Sequence, residues 1–488
     1  MNQWILALLL ILYFGVLLYI SWATSKNATT DSFFSGDKKS PWFLVAFGMI
    51  GTSLSGVTFV SVPGKVMNSG WHYYQLVLGF FIGYFVVAYV LLPIYYKLKL
   101  TSIYSYLEQR LGINAYQWGA GYFILSRTLG ATVRLYLVIN VLQLFIFDAL
   151  GIPFWLSTLI IIAMIVAYTL KGGVKTIVWT DTLQTSFMLL ALLVCLFSLQ
   201  SELHLSWSQM LSSLDQNKLF GLWETNYLKG DYFLKHVIGG AFITIAMTGL
   251  DQEMMQKNIS VKSLKDAQKN MVVFSITLLL VNALFLLLGG VLTLFAQQKG
   301  LHLKPDDLFP SLVQSYLPFG VFILFIIGLI SALFPSVDGA ITALTSSFCI
   351  DILGVNRKLH DEQTKTKIKR WTHLSFACLF TVLVFWFKWL DNKSIVDLIF
   401  DIAGYTYGPL LGLFAFGILT KRQLKHPKTA AITLVSPLVC YFLKTYSATL
   451  FGSYQIGNEL LIINGLITFL LLLFFSKKST YVLASEPQ

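Results

Sequence analysis

Three ionisable residues, Arg134, Asp181 and Asp338, fall inside stretches that are otherwise apolar. In hydrocarbon an unpaired charge costs roughly several kcal/mol, so each must face a cavity or a partner. Asp338 follows Ser331-Ala332-Leu333-Phe334-Pro335-Ser336-Val337 and precedes Thr342, Thr345, Ser346 and Ser347. Pro335 removes an N–H and frees the carbonyl one turn earlier, and an aspartate three residues on lies on nearly the same helical face. A carboxylate beside free carbonyls and a serine hydroxyl has the ligand chemistry of a hard-cation site. The other reading is a kinked helix whose aspartate pairs with a basic residue. A second run, Gly48-Met49-Ile50-Gly51-Thr52-Ser53-Leu54-Ser55-Gly56-Val57-Thr58-Phe59-Val60-Ser61-Val62-Pro63-Gly64, spreads glycines and hydroxyls over all faces of a helix. Such a run can unwind and present carbonyls to a cation, where a single small-residue stripe would only pack.

Arg134 lies about 25 Å along its apolar block by helical rise, too deep for easy snorkelling. It reads either as a guanidinium fork for a substrate carboxylate or as the internal partner of Asp181 or Asp338. Arg127, a heptad earlier on nearly the same face, reads as an inner-gate or structural residue. Asp181 stands about 9 Å by helical rise from Lys175, where it either caps an inner vestibule or serves an ion. Asp251 and Glu253, at the end of another block, read as gate residues. Asp397, Asp401 and Gly404-Tyr405-Thr406-Tyr407-Gly408-Pro409 mark either a flexible point or a Pro-kinked helix. No P-loop, dinucleotide-binding glycine motif or zinc-binding His/Glu motif occurs, and the seven histidines do not cluster, which argues against an enzyme.

The elements that hold these residues are membrane helices. Only 12% of the 488 residues are charged, 56% are hydrophobic and 15% aromatic, which excludes a soluble protein. The mean hydropathy is +0.70, and the apolar residues come in blocks of about twenty. Thirteen blocks are expected: Trp4 to Trp22, then 42–68, 75–96, 118–147, 154–170, 176–199, 233–256, 270–297, 316–350, 371–390, 394–420, 427–446 and 457–476. The first lacks basic residues before it and a small-residue cleavage site after it, so it reads as a retained span. With the N-terminus outside and the C-terminus cytoplasmic, roughly two dozen basic residues face inward against about eight outward. The net charge of +12 therefore reflects membrane topology and does not point to nucleic acid. Cys195, Cys349, Cys378 and Cys440 suggest neither a disulfide framework nor a zinc site. The outer segment 201–232 has room for short surface helices. The expected surroundings are a lipid bilayer, with no obligate protein partner.

These residues resemble the sodium:solute symporter family over nearly the whole chain. The resemblance is carried by Asp31-Ser-Phe-Phe-Ser-Gly36, Thr101-Ser-Ile-Tyr-Ser-Tyr-Leu-Glu-Gln-Arg-Leu-Gly112, Gly172-Gly173 with Trp179-Thr180-Asp181, the Gln252 to Gln268 loop, and Ser346 to Asp351. It implies a LeuT-like, all-α polytopic fold. A leading helix (1–24) precedes two inverted five-helix repeats (42–199 and 233–420), two trailing helices (427–476) and a cytoplasmic tail (477–488). It implies one or two sodium ions: a site from the carbonyls of Gly51, Leu54 and Ala332 with the Ser336 hydroxyl, and a second near Asp181 and Asp338. Pro335 stands where the family generally has a hydroxyl. The sialic-acid-transporting branch is nearest in motifs, and by that likeness Ser53, Ser55, Thr58, Tyr73 and Arg134 hold the substrate. Gln75 stands in for the branch's glutamine, whose position is Val77 here. The expectation is a sodium-coupled symporter of a small polar, carboxylate-bearing solute, with a neutral solute (sugar, polyol or amino acid) and proton coupling as the alternatives. A transporter-like sensor or a channel is the rival from another class.

Overall fold

The computed structural model describes residues 3–26, 33–34, 36–38, 40–355, 357, 361–390, 395–424 and 427–478. Of the motif Asp31 to Gly36 only Phe33, Phe34 and Gly36 are among them, and the Asp397 side chain and residues 479–488 lie outside. Within this range the regular structure is helical apart from one two-residue antiparallel pair, Gln423–Leu424 with Ser476–Lys477, and an isolated bridge between Ser40 and Val261.

Seven helices are long and apolar enough to cross a membrane. They are α3 (His72–Lys97), α4 (Ile113–Leu142), α6 (Gly173–Glu202), α8 (Leu264–Gln298), α9 (Phe319–Ile352), α10 (Glu362–Leu390) and α11, whose helix runs Ile395–Leu419. Two bent pairs also qualify: α2, Trp42–Ser53 with Gly56–Ser69, and α7, Phe233–Gly249 with Gln252–Ile259. Four shorter apolar helices, α1 (Gln3–Thr24), α5 (Phe154–Leu170), α12 (Ala431–Thr445) and α13 (Leu460–Phe474), complete the thirteen expected segments. In segment 201–232 a surface helix, Trp207–Gln216, starts with a capping box formed by Ser206 and Gln209.

The breaks have local causes. In α2 the helix stops at Leu54 (φ −89°, ψ 62°) and restarts after the extended Ser55, with a bend of 56° between the halves. The break in α7 was not expected, because the apolar pattern runs through it to residue 256. There Asp251 turns extended, and its carboxylate accepts from the Glu253 and Met254 amides at 2.9 and 3.2 Å, starting a new helix bent by 65°. Between α5 and α6, Gly173 adopts φ 58°, and a Cβ there would lie 2.5 Å from the Phe33 Cα, so only glycine fits. By contrast α11 runs unbroken through Pro409, and Gly408 makes room for the Asn464 side chain of α13.

The helices form two packed groups. One combines α3, α7 and α8 with the second half of α2; the other combines α4, α9 and α10 with α5 and α6. The first half of α2 packs on both α6 and α8, so the break in α2 lies where the two groups meet. Within the first group α3 and α7 touch backbone to backbone: a Cβ on Gly79 would lie 2.2 Å from the Val237 carbonyl, and one on Gly240 2.3 Å from that of Leu76.

Candidate functional site

The break in α2 opens a cavity of about 120 Å³. Ser53, Ser55 and Thr58 line it from α2, Tyr73 and Tyr84 from α3, Arg134 from α4, Thr244 and Thr248 from α7, and Asn282 from α8. Phe80, Ile243, Met247 and Leu278 supply apolar wall. The Arg134 guanidinium has no hydrogen bond or ion pair among the described residues. The internal partners proposed from sequence are engaged elsewhere. Asp338 accepts from the Tyr168 hydroxyl at 2.7 Å and from the Gly339 amide at 2.5 Å, and Asp181 accepts from Lys257 at 2.7 Å. Arg127, by contrast, is an internal pair: its guanidinium binds Glu253 and lies 3.9 Å from Asp251, which also accepts from the Tyr407 hydroxyl at 2.8 Å. Asp251 and Glu253 are thus buried partners of Arg127.

The two helix breaks treat their backbone differently. In α7 the carbonyls of Gly249 and Leu250 accept from the Tyr95 and Tyr104 hydroxyls at 2.8 and 2.9 Å. In α2 no described side chain donates to the carbonyls of Gly51 or Leu54, so the end of the first half-helix keeps acceptors to offer. Gly51 packs beside Thr185 and Pro335, and its amide donates to the Thr185 hydroxyl at 3.1 Å. Across from it on α9, Ala332 and Ser336 are fully buried, and the Ser336 hydroxyl has no partner among the described residues. The Thr342 hydroxyl and Asp181 Oδ1 are also buried without partners among the described residues. Buried polar groups are nearly always satisfied, so each of these atoms is a place where an ion or water can serve as the partner. Pro335 frees the Ser331 carbonyl, while the Ser331 hydroxyl bonds to Tyr13 at 2.8 Å.

A profile of the sodium:solute symporter family matches residues 33–426. The chain belongs to this family. Sodium/sialic acid symporter SiaT of Proteus mirabilis is 23% identical over 462 residues, covering 91% of this chain and 90% of that protein. Sodium-coupled monocarboxylate transporter 1 of Mus musculus is 25% identical over 82% of this chain and 66% of its own length. A solved substrate-bound, outward-open Na⁺-coupled sialic acid symporter superposes with a TM-score of 0.83 at 20% identity, covering 97% and 99% of the two chains, which is a likeness of fold. The protein is therefore a multi-pass membrane symporter coupled to sodium, with sodium and small organic solutes as its transported substrates, and not an enzyme.

Within this symporter five of the six residues expected at the substrate gather on the cavity: Ser53, Ser55, Thr58, Tyr73 and Arg134. Gln75 does not join them. Its amide donates to the His72 and Asp231 carbonyls at 3.0 and 3.4 Å and accepts from the Glu224 amide, so it ties α3 to the outer segment. The sequence reading missed Asn282, whose Oδ1 is buried without a partner, and Thr244, Thr248 and Tyr84. A lone amide in the middle of an apolar block was a signal that could have found Asn282. It also missed Lys257, which stands among basic loop residues in sequence but is buried beside Asp181. A second cavity, about 360 Å³, carries His72, Asp231, Asp401 and Lys444; Tyr73 borders both cavities.

Proposed function

We propose that this symporter moves a small carboxylate-bearing organic anion, of the sialic acid or monocarboxylate type, by alternating access between its two helix groups. The observation that carries the reading is Arg134: a half-buried guanidinium on the central cavity with no acidic partner of its own. A neutral cargo would leave that charge without a counterion in every bound state, which the surrounding hydrocarbon penalises. Ser53, Ser55, Thr58 and Asn282 supply hydroxyl and amide contacts for polar groups beyond the carboxylate. The names of the relatives, a sialic acid symporter and a monocarboxylate transporter, agree with an anionic cargo.

In this reading one sodium binds at the break in α2, held by the carbonyls of Gly51, Leu54 and Ala332 and by the unpartnered Ser336 hydroxyl. Sodium here is cargo. The chain divides into a leading helix, inverted repeats at 42–199 and 233–420 and two trailing helices, with the N-terminus outside and the C-terminus cytoplasmic. An anion carried with one sodium is electroneutral and gains nothing from voltage, which supplies about 2.3 kcal/mol per charge per 100 mV. A second cation would restore that drive, so the state of Asp181 and Asp338 decides the energetics.

The test is uptake of labelled N-acetylneuraminate into proteoliposomes, with and without an inward sodium gradient, against unlabelled monocarboxylates and neutral sugars. Sodium-dependent uptake inhibited by carboxylates and not by neutral sugars is expected. Inhibition by a neutral sugar, with carboxylates inert, would transfer the proposal to a neutral solute.

A further inference from the structure

The Asp181 carboxylate, which the sequence offers as part of a second sodium site, already faces a cation. Lys257 comes from the second half of α7, reaches across to α6, and is 3% exposed. Its Nζ lies 2.7 Å from Asp181 Oδ2, 2.7 Å from the Thr52 hydroxyl and 3.4 Å from Glu253 Oε1. The Thr52 hydroxyl itself donates to Asp181 Oδ2 at 3.0 Å. One monovalent cation thus holds oxygen ligands from α2, α6 and α7, one residue along α2 from Gly51 of the proposed sodium site. The neighbouring charges are directed elsewhere: Arg127 to Glu253 and Asp251, Arg134 to the cavity, and Asp338 to Tyr168 and Gly339.

We propose that the Lys257 ammonium is a resident cation that stands in for sodium at Asp181, closing that site to the transported ion. The inference rests on sodium coupling as read above but not on the identity of the solute. The ammonium spends its three N–H donors on Asp181, the Thr52 hydroxyl and Glu253, an all-oxygen set of the kind a sodium ion takes, and Asp181 Oδ1 remains buried without a hydrogen-bond partner among the described residues. Removing the lysine leaves Asp181 charged and buried without a counterion, and the small set of oxygens around it then becomes a place for sodium. With Asp181 filled from within the chain, Asp338 is the carboxylate of this region that contacts no basic side chain among the described residues.

The experiment is equilibrium binding of radioactive sodium to the purified full-length protein, in mildly alkaline choline buffer without solute. Lys257→Gln is expected to bind one more sodium ion per chain than the unaltered protein. Lys257→Arg and Asp181→Asn should each match the unaltered protein, and Lys257→Gln/Asp181→Asn should lose the extra ion. The proposal is overturned if Lys257→Gln gains no sodium, or if Asp181→Asn in the presence of Lys257 loses one. The latter comparison stands even where Lys257→Gln does not fold. An unaltered protein that binds no sodium while Lys257→Gln binds one would remove the site at the α2 break and leave the resident cation in place.

Discussion

Replacing Arg134 separates an anion carrier from a carrier of neutral solutes. In Arg134→Ala a bound carboxylate would sit in the cavity among Ser53, Thr58 and Asn282 with no unpaired cation, since Arg127, the other guanidinium lining the cavity, is held by Glu253. Truncating one partner of a buried ion pair costs roughly 3–5 kcal/mol, and the partial exposure of Arg134 argues for the lower end. About 3 kcal/mol corresponds to roughly a hundredfold loss of affinity. Arg134→Lys keeps the charge but loses the planar fork, and a loss of about 1.4 kcal/mol, roughly tenfold, is expected. The assay is inhibition of proteoliposome uptake, or ligand-induced thermal stabilisation, with N-acetylneuraminate and its neutral methyl ester in parallel. The ester makes no ion pair, so its weaker binding should change little between the unaltered protein and Arg134→Ala. Acid and ester weakened equally, or acid affinity held within about threefold, would refute the reasoning, because an interaction of this strength cannot vanish without a differential.

Three further predictions follow from the packing and the outer loop. Gly240→Ala and Gly79→Ala each drive a methyl against backbone oxygen at 2.3 and 2.2 Å, so a loss of at least about 1–3 kcal/mol is expected, read as a lower melting temperature in detergent. Arg127→Met strands Glu253 and Asp251 in the core and should destabilise by about 3–5 kcal/mol, whereas Arg127→Lys should recover part of the loss; equal stability of all three proteins would contradict the buried pairing. Outside the membrane, the hydrogen bond from His72 at 2.8 Å holds the Asp231 carboxyl below its usual range. A lowered folded value means that its stabilisation is complete above the unfolded value near 3.9 and is lost as pH falls through the folded one. Hydrogen-exchange protection across 224–231, taken relative to the intrinsic rate at each pH, should fall on that acid side, and Asp231→Asn should remove this loss of protection; an unchanged acid response in the variant would exclude Asp231 as its source.

The thirteen helical segments were legible because hydrocarbon imposes a strong rule, and a stretch of apolar residues obeys it whatever its neighbours are. The break in α2 was legible for a related reason: glycines and hydroxyls on every face have no use in a lipid-facing helix. The break in α7 was not, because its cause is a single aspartate that turns to cap the next helix, and in sequence Asp251 looks like any interfacial charge. Gln75 misled because a glutamine near a vacant family position is equally able to serve the loop backbone, and only the path of segment 224–231 decides between them. Lys257 was hidden by its neighbours, Lys262, Lys265 and Lys269, which make the whole segment look like a cytoplasmic loop. Pairing across helices distant in sequence is the information that hydropathy does not carry.

The buried charges form one connected arrangement. Asp251, Glu253 and Lys257 lie on one short stretch of α7, with Arg127 holding its two carboxylates from α4 and Asp181 holding its ammonium from α6. The lysine therefore links the first group of helices, through α7, to the second, through α6, at the level of the α2 break. Any rocking of one group against the other must either carry this pair as a unit or separate it, and separation would leave an uncompensated carboxylate beside the proposed sodium site. A sodium ion entering near Gly51 and Ser336 places a second positive charge close to the ammonium and weakens its hold on Asp181. Sodium binding would then bias the position of α7 without contacting it. Because Arg134 shares the cavity with Met254 and Arg127, the same shift alters the space open to the solute carboxylate. Coupling between cation and anion in this chain is accordingly expected to run through α7, and Lys257→Gln, with a sodium ion in place of the ammonium, should make solute affinity depend on sodium more steeply than in the unaltered protein.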